Sequence, residues 1–550
     1  MGAVAAGGRT SAVRPDVLAY PAPTTGRYLV LLAALLTAGF FVGEWLHSEV
    51  ARSAYEATEL TCSVSPLVPV DAPTGTGQAA LDACRAGSEH LRAAFVLGGA
   101  AVVAVGGFGV LHLVPALLRR RRRPAALPAG LQPAGRRFAE LAAAAGLRRC
   151  PTPLLGSARQ RDAFSFGVPG RYAVVLPVAL ALRWRDPRLF DPVVRHELAH
   201  IAHRDVAFAW LARSIWYVLA PVLALPAVAG AVSGDLSLLP EHLWRALLLA
   251  GTVQLVGAAL LRSREHDADL RAARSPAGPG PMLGAVALIR AAEVPRYRRP
   301  LALHPSPAER RAVLQRPELA ARVGFLDGFT AAFLAGLAGP LVVEAVLSSA
   351  VGIAPPSVAQ LAVALTVGPL LGGSVGLALW RASAVARAVG GSAPPWPAAL
   401  GVAVGLVAGY PTSLGATEAA DPLWVAVVAA AGAGATLIAA GAGEVWADAL
   451  PVLRRARWAW VPAVVVTGAV YAAVVWAVGQ FVVLLDAGGW SLVGLWLVAM
   501  PDRWLPLAAV LVLAASAAVA LGAARPNGAA PAWLVEAGPP THWPAAAPRL

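Results

Sequence analysis

The sequence predicts a mostly α polytopic membrane helix bundle of about ten spans that carries a small α+β cytosolic domain. Hydrophobic residues make up 57% of the 550 and charged ones only 14%, with a mean hydropathy of +0.63. A soluble globular chain of this length does not show such values. Apolar stretches of about 20 residues, enough to cross some ~30 Å of hydrocarbon, recur along the chain. The net charge is +14 and all 45 basic residues are arginine. They cluster beside the apolar stretches, where they set topology, so no nucleic-acid partner is expected.

Residues 1–27 are small, Pro-containing and dotted with Arg9, Arg14 and Arg27, and read as a disordered cytosolic tail. Tyr28 to Leu46 is the first span. It is too long for a signal-peptide core and lacks a small-residue cleavage site, so it reads as an uncleaved anchor. A second span, Ala93 to Leu118, ends in Arg119 to Arg123, a run that stays in the cytosol. The loop between them is therefore external. Its Cys62 and Cys84 either pair in an oxidising compartment or stand as two small apolar residues, whereas Cys150 falls on the other side as a thiol. Residues 28–118 thus form a two-span hairpin, and 119–327 a domain with two further spans.

From Pro124 the composition turns mixed. Arg136 to Arg149 predicts a helix. Ala163-Phe164-Ser165-Phe166 alternates as a half-exposed strand does, Pro169-Gly170 turns, and Tyr172 to Leu176 returns as a strand. The edge formed by Asp162, Ala163, Phe164 and Ser165 is a candidate to take an extended peptide by main-chain hydrogen bonds; alternatively the two Phe are core residues. Asp191-Pro192 reads as an N-cap followed by proline at the first helical position. That helix is expected to run into the membrane as the span Ala207 to Val232, with Leu243 to Leu261 returning.

On this helix lies His196-Glu197-x-x-His200. Residues four apart share a helical face, so both imidazoles can reach one Zn2+, with Glu197 beside it as general base for the attacking water. With 10 His and at most 31 Glu in the chain, chance supplies such a pattern about 0.01 times. Two histidines do not complete a catalytic zinc site. Arg262-Ser263-Arg264-Glu265-His266-Asp267-Ala268-Asp269 supplies the rest. Glu265 is the candidate third ligand, ahead of His266, which points about 100° away. Asp269 and Asp205 are placed to orient the ligand imidazoles.

In the order His196-Glu197-x-x-His200, Ser263-Arg264-Glu265-x-x-x-Asp269 and His304-Pro305-Ser306-Pro307-Ala308-Glu309-Arg310, the chain resembles the integral-membrane zinc metallopeptidase family of the CaaX prenyl endopeptidases and the heat-shock protease HtpX. The match runs roughly from Gln132 to Leu314. The resemblance implies a zincin-like catalytic domain and a zinc-dependent endopeptidase activity. It also sets the third element near the metal, where His304 could stabilise an oxyanion and Arg310 orient a carboxylate or backbone; the alternative is a Pro-containing turn before a helix. The family's Asn-Ala-Phe appears as Asp162-Ala163-Phe164, and an aspartate cannot donate the amide hydrogen bond.

Further spans are expected near Phe329 to Leu347, Val358 to Trp380, Pro397 to Tyr410, Leu423 to Trp446, Trp458 to Leu485 and Leu505 to Leu521. They make 328–523 a six-span membrane domain, and 524–550 a second disordered tail. Glu344 inside a span is a weak functional candidate. The expected protein is a multi-pass enzyme of the bacterial cell membrane with both termini cytosolic. It would cut membrane proteins or peptides at the cytosolic interface, with the lipid bilayer as its other partner. A membrane sensor or transporter with structural zinc, or a CaaX-type processing peptidase, is the alternative.

Overall fold

The computed structural model describes residues 17–20, 23–63, 74–234, 239–289, 295–354, 356–389, 391–413, 422–450 and 456–486. It opens with two antiparallel helices, α1 (Pro23–Ser63) and α2 (Thr74–Arg122). At 41 and 49 residues both greatly exceed the roughly 20 that cross a bilayer. The segment expected to be an external loop is therefore largely helical. Its polar residues sit on facing helices and pair across them: Arg85 with Glu59 at 2.6 Å and Tyr55 Oη donating to Glu89 at 2.7 Å, while Arg92 reaches back to Glu44, inside the first span, at 2.5 Å. Near the far end Cys62 and Cys84 are joined in a disulfide with Cα atoms 5.8 Å apart.

Arg92 also pairs with Glu344. The intramembrane carboxylate thus belongs to a charge network that ties two distant spans together.

The mixed-composition segment folds into a four-stranded sheet with helices on it. Strands β1 (Ala125–Ala126), β2 (Thr152–Leu155), β3 (Phe164–Val168) and β4 (Arg171–Leu176) lie in the order β1-β2-β4-β3, and α3 (Gln132–Ala144) packs beside them. Strand β2 runs parallel to β4, while β3 pairs antiparallel with β4 through the Pro169-Gly170 turn. This hairpin is the expected one. Strands β1 and β2 have 2 and 4 residues, too few for a periodicity to register.

After α4 (Val178–Leu182) comes α5 (Phe190–Ala202), which carries the two motif histidines. Its apolar face, with Phe190, Val194 and Leu198, packs on Phe138, Leu141 and Val174. Asp191 lies inside the first turn of α5, and Leu189 occupies the N-cap position without a side-chain capping bond, which corrects the expected N-cap. Asp191 is instead drawn to Arg137, whose Nη2 lies 2.5 Å from Oδ2. Nor does α5 run on into the membrane: it stops at Ala202, and Arg204 adopts a positive φ of 59°. The chain turns there before α6 (Val206–Ser214) and α7 (Trp216–Ser233).

The long helix α8 (Leu239–Ala273) returns, followed by α9 (Gly280–Ala287), α10 (Pro307–Gln315), α11 (Phe325–Ala350), α12 (Pro356–Leu371), α13 (Leu377–Ala388), α14 (Trp396–Gly409), α15 (Pro422–Ala449) and α16 (Ala456–Asp486). Among the described residues eight helical segments are long and apolar enough to cross a membrane. The expected span Pro397 to Tyr410 corresponds to α14, which at 14 residues is not one of them. It packs closely on α11, where a Cβ at Gly405 would come 2.5 Å from the Phe329 carbonyl oxygen. Between α12 and α13 a π-helical turn, Gly372–Gly376, keeps the rod continuous. The expected span Leu505 to Leu521 and both expected tails, apart from 17–20 and 23–27 of the first, lie outside the described residues.

Candidate metal centre and active site

Helix α5 delivers His196 and His200 to one spot because they are one turn apart on the face opposite its apolar packing. Helix α8 continues past the apolar stretch that ends at Leu261, and its polar end brings Glu265 against them. Glu265 Oε2 lies 3.4 Å from His196 Nε2, and Oε1 lies 3.8 Å from His200 Nε2. One donor atom from each of the three lies within 4.8 Å of the others, and all three residues are buried. His266, next along α8, is not in the group.

The outer faces of the imidazoles meet carboxylates. Asp269 Oδ1 is 2.8 Å from His196 Nδ1, and Asp205 Oδ2 is 3.6 Å from His200 Nδ1. Both contacts are ion-pair approaches more than aligned hydrogen bonds, since neither Nδ1 meets hydrogen-bond geometry. They turn the Nε2 atoms inward toward Glu265. Burial disfavours a charged His196, but the carboxylates of Asp269 and Glu265 outweigh it and hold the imidazole up at about 9. Asp205 is likewise buried, and Arg264, 3.2 Å away, together with His200 overrides burial and brings the carboxyl down to about 2.

The donor set suits zinc. Ligands at 2.0–2.1 Å in a tetrahedron stand about 3.4 Å apart, close to the spacings between Glu265 and the two histidines, and the set mixes imidazole nitrogen with carboxylate oxygen. Glu197, adjacent to His196 and 6% exposed, makes no ion pair among the described residues, so its carboxylate is not committed elsewhere.

The third sequence element reaches the same place. His304 is half-exposed; its Nδ1 lies 3.9 Å from Glu265 Oε2 and its Nε2 is 2.8 Å from Arg213 Nη2. Burial and the neighbouring guanidinium of Arg213 draw its pKa below the usual value against the pull of Glu265. A guanidinium can only donate, so Nε2 accepts and the proton of the neutral ring sits on Nδ1. Arg310 is turned to Asp269, with Nε 2.6 Å from Oδ2 and Nη2 on Oδ1. Ser306 caps α10 with a reciprocal Glu309 contact, fixing the turn between His304 and Arg310.

The β3 edge stands nearby with one position already engaged, because Trp210 Nε1 donates to the Ser165 carbonyl at 2.9 Å. Asp162 is exposed and its carbonyl accepts from Gln160 Nε2, while Ala163 and Phe164 are half-buried. Sequence reasoning missed Trp210 and Arg213, and it quoted Arg264 within the Ser263-Arg264-Glu265 element without giving it a partner. No spacing rule links α6 to the strand and loop it contacts, so no sequence signal could have found the first two.

A helix presenting two histidines and a glutamate, completed by a carboxylate from a membrane-spanning helix, defines a membrane metallopeptidase. Residues 133–318 match the model of peptidase family M48, the family of the CaaX prenyl endopeptidases and HtpX. No curated protein and no solved structure matches the chain.

Proposed function

We propose that the protein is a zinc-dependent endopeptidase that cuts membrane proteins or peptides where they reach the cytosolic face of the bilayer. The observation that carries this reading is the convergence of His196, His200 and Glu265 beside a buried Glu197 that forms no ion pair among the described residues. In this reading the three donors hold the ion, which when bound supplies Lewis acidity to a water and to the scissile carbonyl. Glu197 takes the proton of the attacking water and returns it to the leaving amine. His304, neutral with Nδ1–H, donates toward the developing oxyanion, and Arg213 fixes that tautomer. Arg310 acts at one remove, by orienting Asp269.

The side of the membrane is supported by the arginine run that ends α2: Arg119 stacks over the Phe166 ring of the sheet at 5.7 Å. The most arginine-rich helix end therefore abuts the peptidase segment, while the disulfide lies at the other end of the same hairpin. Both termini follow as cytosolic in this reading, and a bacterial cell membrane remains the proposed location.

The test is substrate trapping in native membranes. A Glu197→Ala chain, with metal retained, should accumulate bound membrane proteins that the wild type releases as fragments. Equal capture and unchanged fragment patterns in the two would refute the reading.

A further inference from the structure

Apart from the metal donors, a cavity of about 370 Å3 opens among α1, α8, α11 and the rod formed by α12 and α13. Four arginines line it, Arg27, Arg262, Arg322 and Arg381, against one carboxylate, Asp327. Asp327 is taken by Arg27 at 2.7 Å, and Arg262 gives Nη1 to the carbonyls of Pro300 and Ala302 at 2.7 and 2.6 Å. Arg381 differs. It is 3% exposed, and its Nε and Nη1 have no hydrogen-bond partner among the described residues. Asp267, whose charge reaches it, is held by Arg271 Nε at 3.0 Å. A buried guanidinium left in this state is costly unless something outside the chain completes it.

The surroundings are shaped for that. The π-helical turn Gly372–Gly376, a feature that recurs at functional sites, presents Ser374 to the cavity, and Ala378 and Arg381 follow on the same wall. Thr330 aside, the side chains of the remaining wall are apolar, with Val30, Val256 and Ala331 from three spans. A cationic head pocket continuous with apolar walls inside the spans matches an anionic amphiphile. The planar fork of arginine fits a phosphate at two points.

We propose that this cavity binds the phosphate headgroup of an anionic phospholipid, with Arg381 as its buried anchor, Arg322 as an exposed second cation, and acyl chain against the apolar wall. The inference does not depend on the peptidase chemistry.

The test uses the full-length protein in neutral detergent, with bound lipid counted by native mass spectrometry. The titrants are phosphatidylglycerol, phosphatidylcholine of the same chains, and sodium phosphate. Phosphatidylglycerol should bind at least about tenfold tighter than phosphatidylcholine, and Arg381→Gln should lose that preference, the size expected when a charged hydrogen-bond partner is removed. Arg322→Gln should weaken it less. Should Arg381→Gln fail to fold, Ala378→Leu, which fills the cavity and keeps every arginine, must weaken phosphatidylglycerol binding. Equal affinity for the two lipids, or unchanged preference in the variant that folds, overturns the proposal. So does displacement by sodium phosphate at matching concentration, which would make the ligand a soluble anion. An Arg381-dependent displacement by a peptide with a free but not an amidated C-terminus overturns it too, in favour of a substrate subsite.

Discussion

Arg310 grips Asp269 at two points, its Nε 2.6 Å from Oδ2, and Asp269 in turn stands 2.8 Å from Nδ1 of His196. A cation on α10 therefore fixes an imidazole on α5 through a carboxylate on α8. Arg310→Gln should lower metal affinity about 10- to 100-fold, the usual scale for partners of metal-bound histidine. Arg310→Lys, which keeps the charge but not the fork, should recover only part. Chelator competition on purified protein measures both, and unchanged affinity in Arg310→Gln would show that Asp269 needs no support.

Glu197 and Glu265 are both buried carboxylates with separate proposed tasks. Glu197→Ala should keep about one metal per chain and lose at least about 10²-fold in cleavage of an unfolded casein-like substrate. Glu265→Ala should lose the metal itself, since two imidazoles make a weak site. Full metal content in Glu265→Ala would move the third ligand to His266, and continued cutting by Glu197→Ala would remove the general base.

His196 gives a pH signature. Without metal its imidazole holds a proton up to about 9, against an ordinary 6.5. A raised value favours the protonated form, so this contribution to the metal-free fold is complete below pH 6.5 and lost as pH rises through about 9. Metal must displace that proton, so apparent affinity should climb about tenfold per pH unit from 6.5 towards 9 and then flatten. Affinity that is flat between pH 7 and 9 would contradict the charged state assigned to His196.

The disulfide closes a loop with a sequence separation of 22. Loop-closure entropy of that size corresponds to about 3 kcal/mol. Cys62→Ser with Cys84→Ser should therefore lower the thermal midpoint in detergent. In intact cells a membrane-impermeant thiol reagent should label neither cysteine until reductant is added. Labelling without reductant would place free thiols there.

The motif residues were legible because their chemistry fixes their spacing: a step of four from His196 to His200 puts both on one face of any α-helix, and Glu265 to Asp269 repeats it. The spans were legible from apolar length alone, as the agreement of Leu423 to Trp446 with α15 and Trp458 to Leu485 with α16 illustrates. What failed was context. Asp191 has the chemistry of an N-cap, yet Arg137 claims it; Glu344 resembles an isolated intramembrane acid, yet Arg92 reaches it from a span more than two hundred residues away. Helix propensity in the stretch after Leu46 was hidden by its polarity, which becomes intelligible only with α2 alongside. Arg213 and Trp210 act through tertiary contacts that no local pattern encodes.

Helix α8 is at once a membrane span and the donor of Glu265. A trimmed, water-soluble fragment would have to keep an apolar rod or forfeit the proposed third ligand. If the three donors hold the ion as proposed, hydrolytic competence and residence in lipid are inherited together, and any drift of α8 along the bilayer normal moves a carboxylate relative to the two imidazoles of α5. The thickness of the host membrane becomes, on the proposed ligand set, a variable of metal affinity.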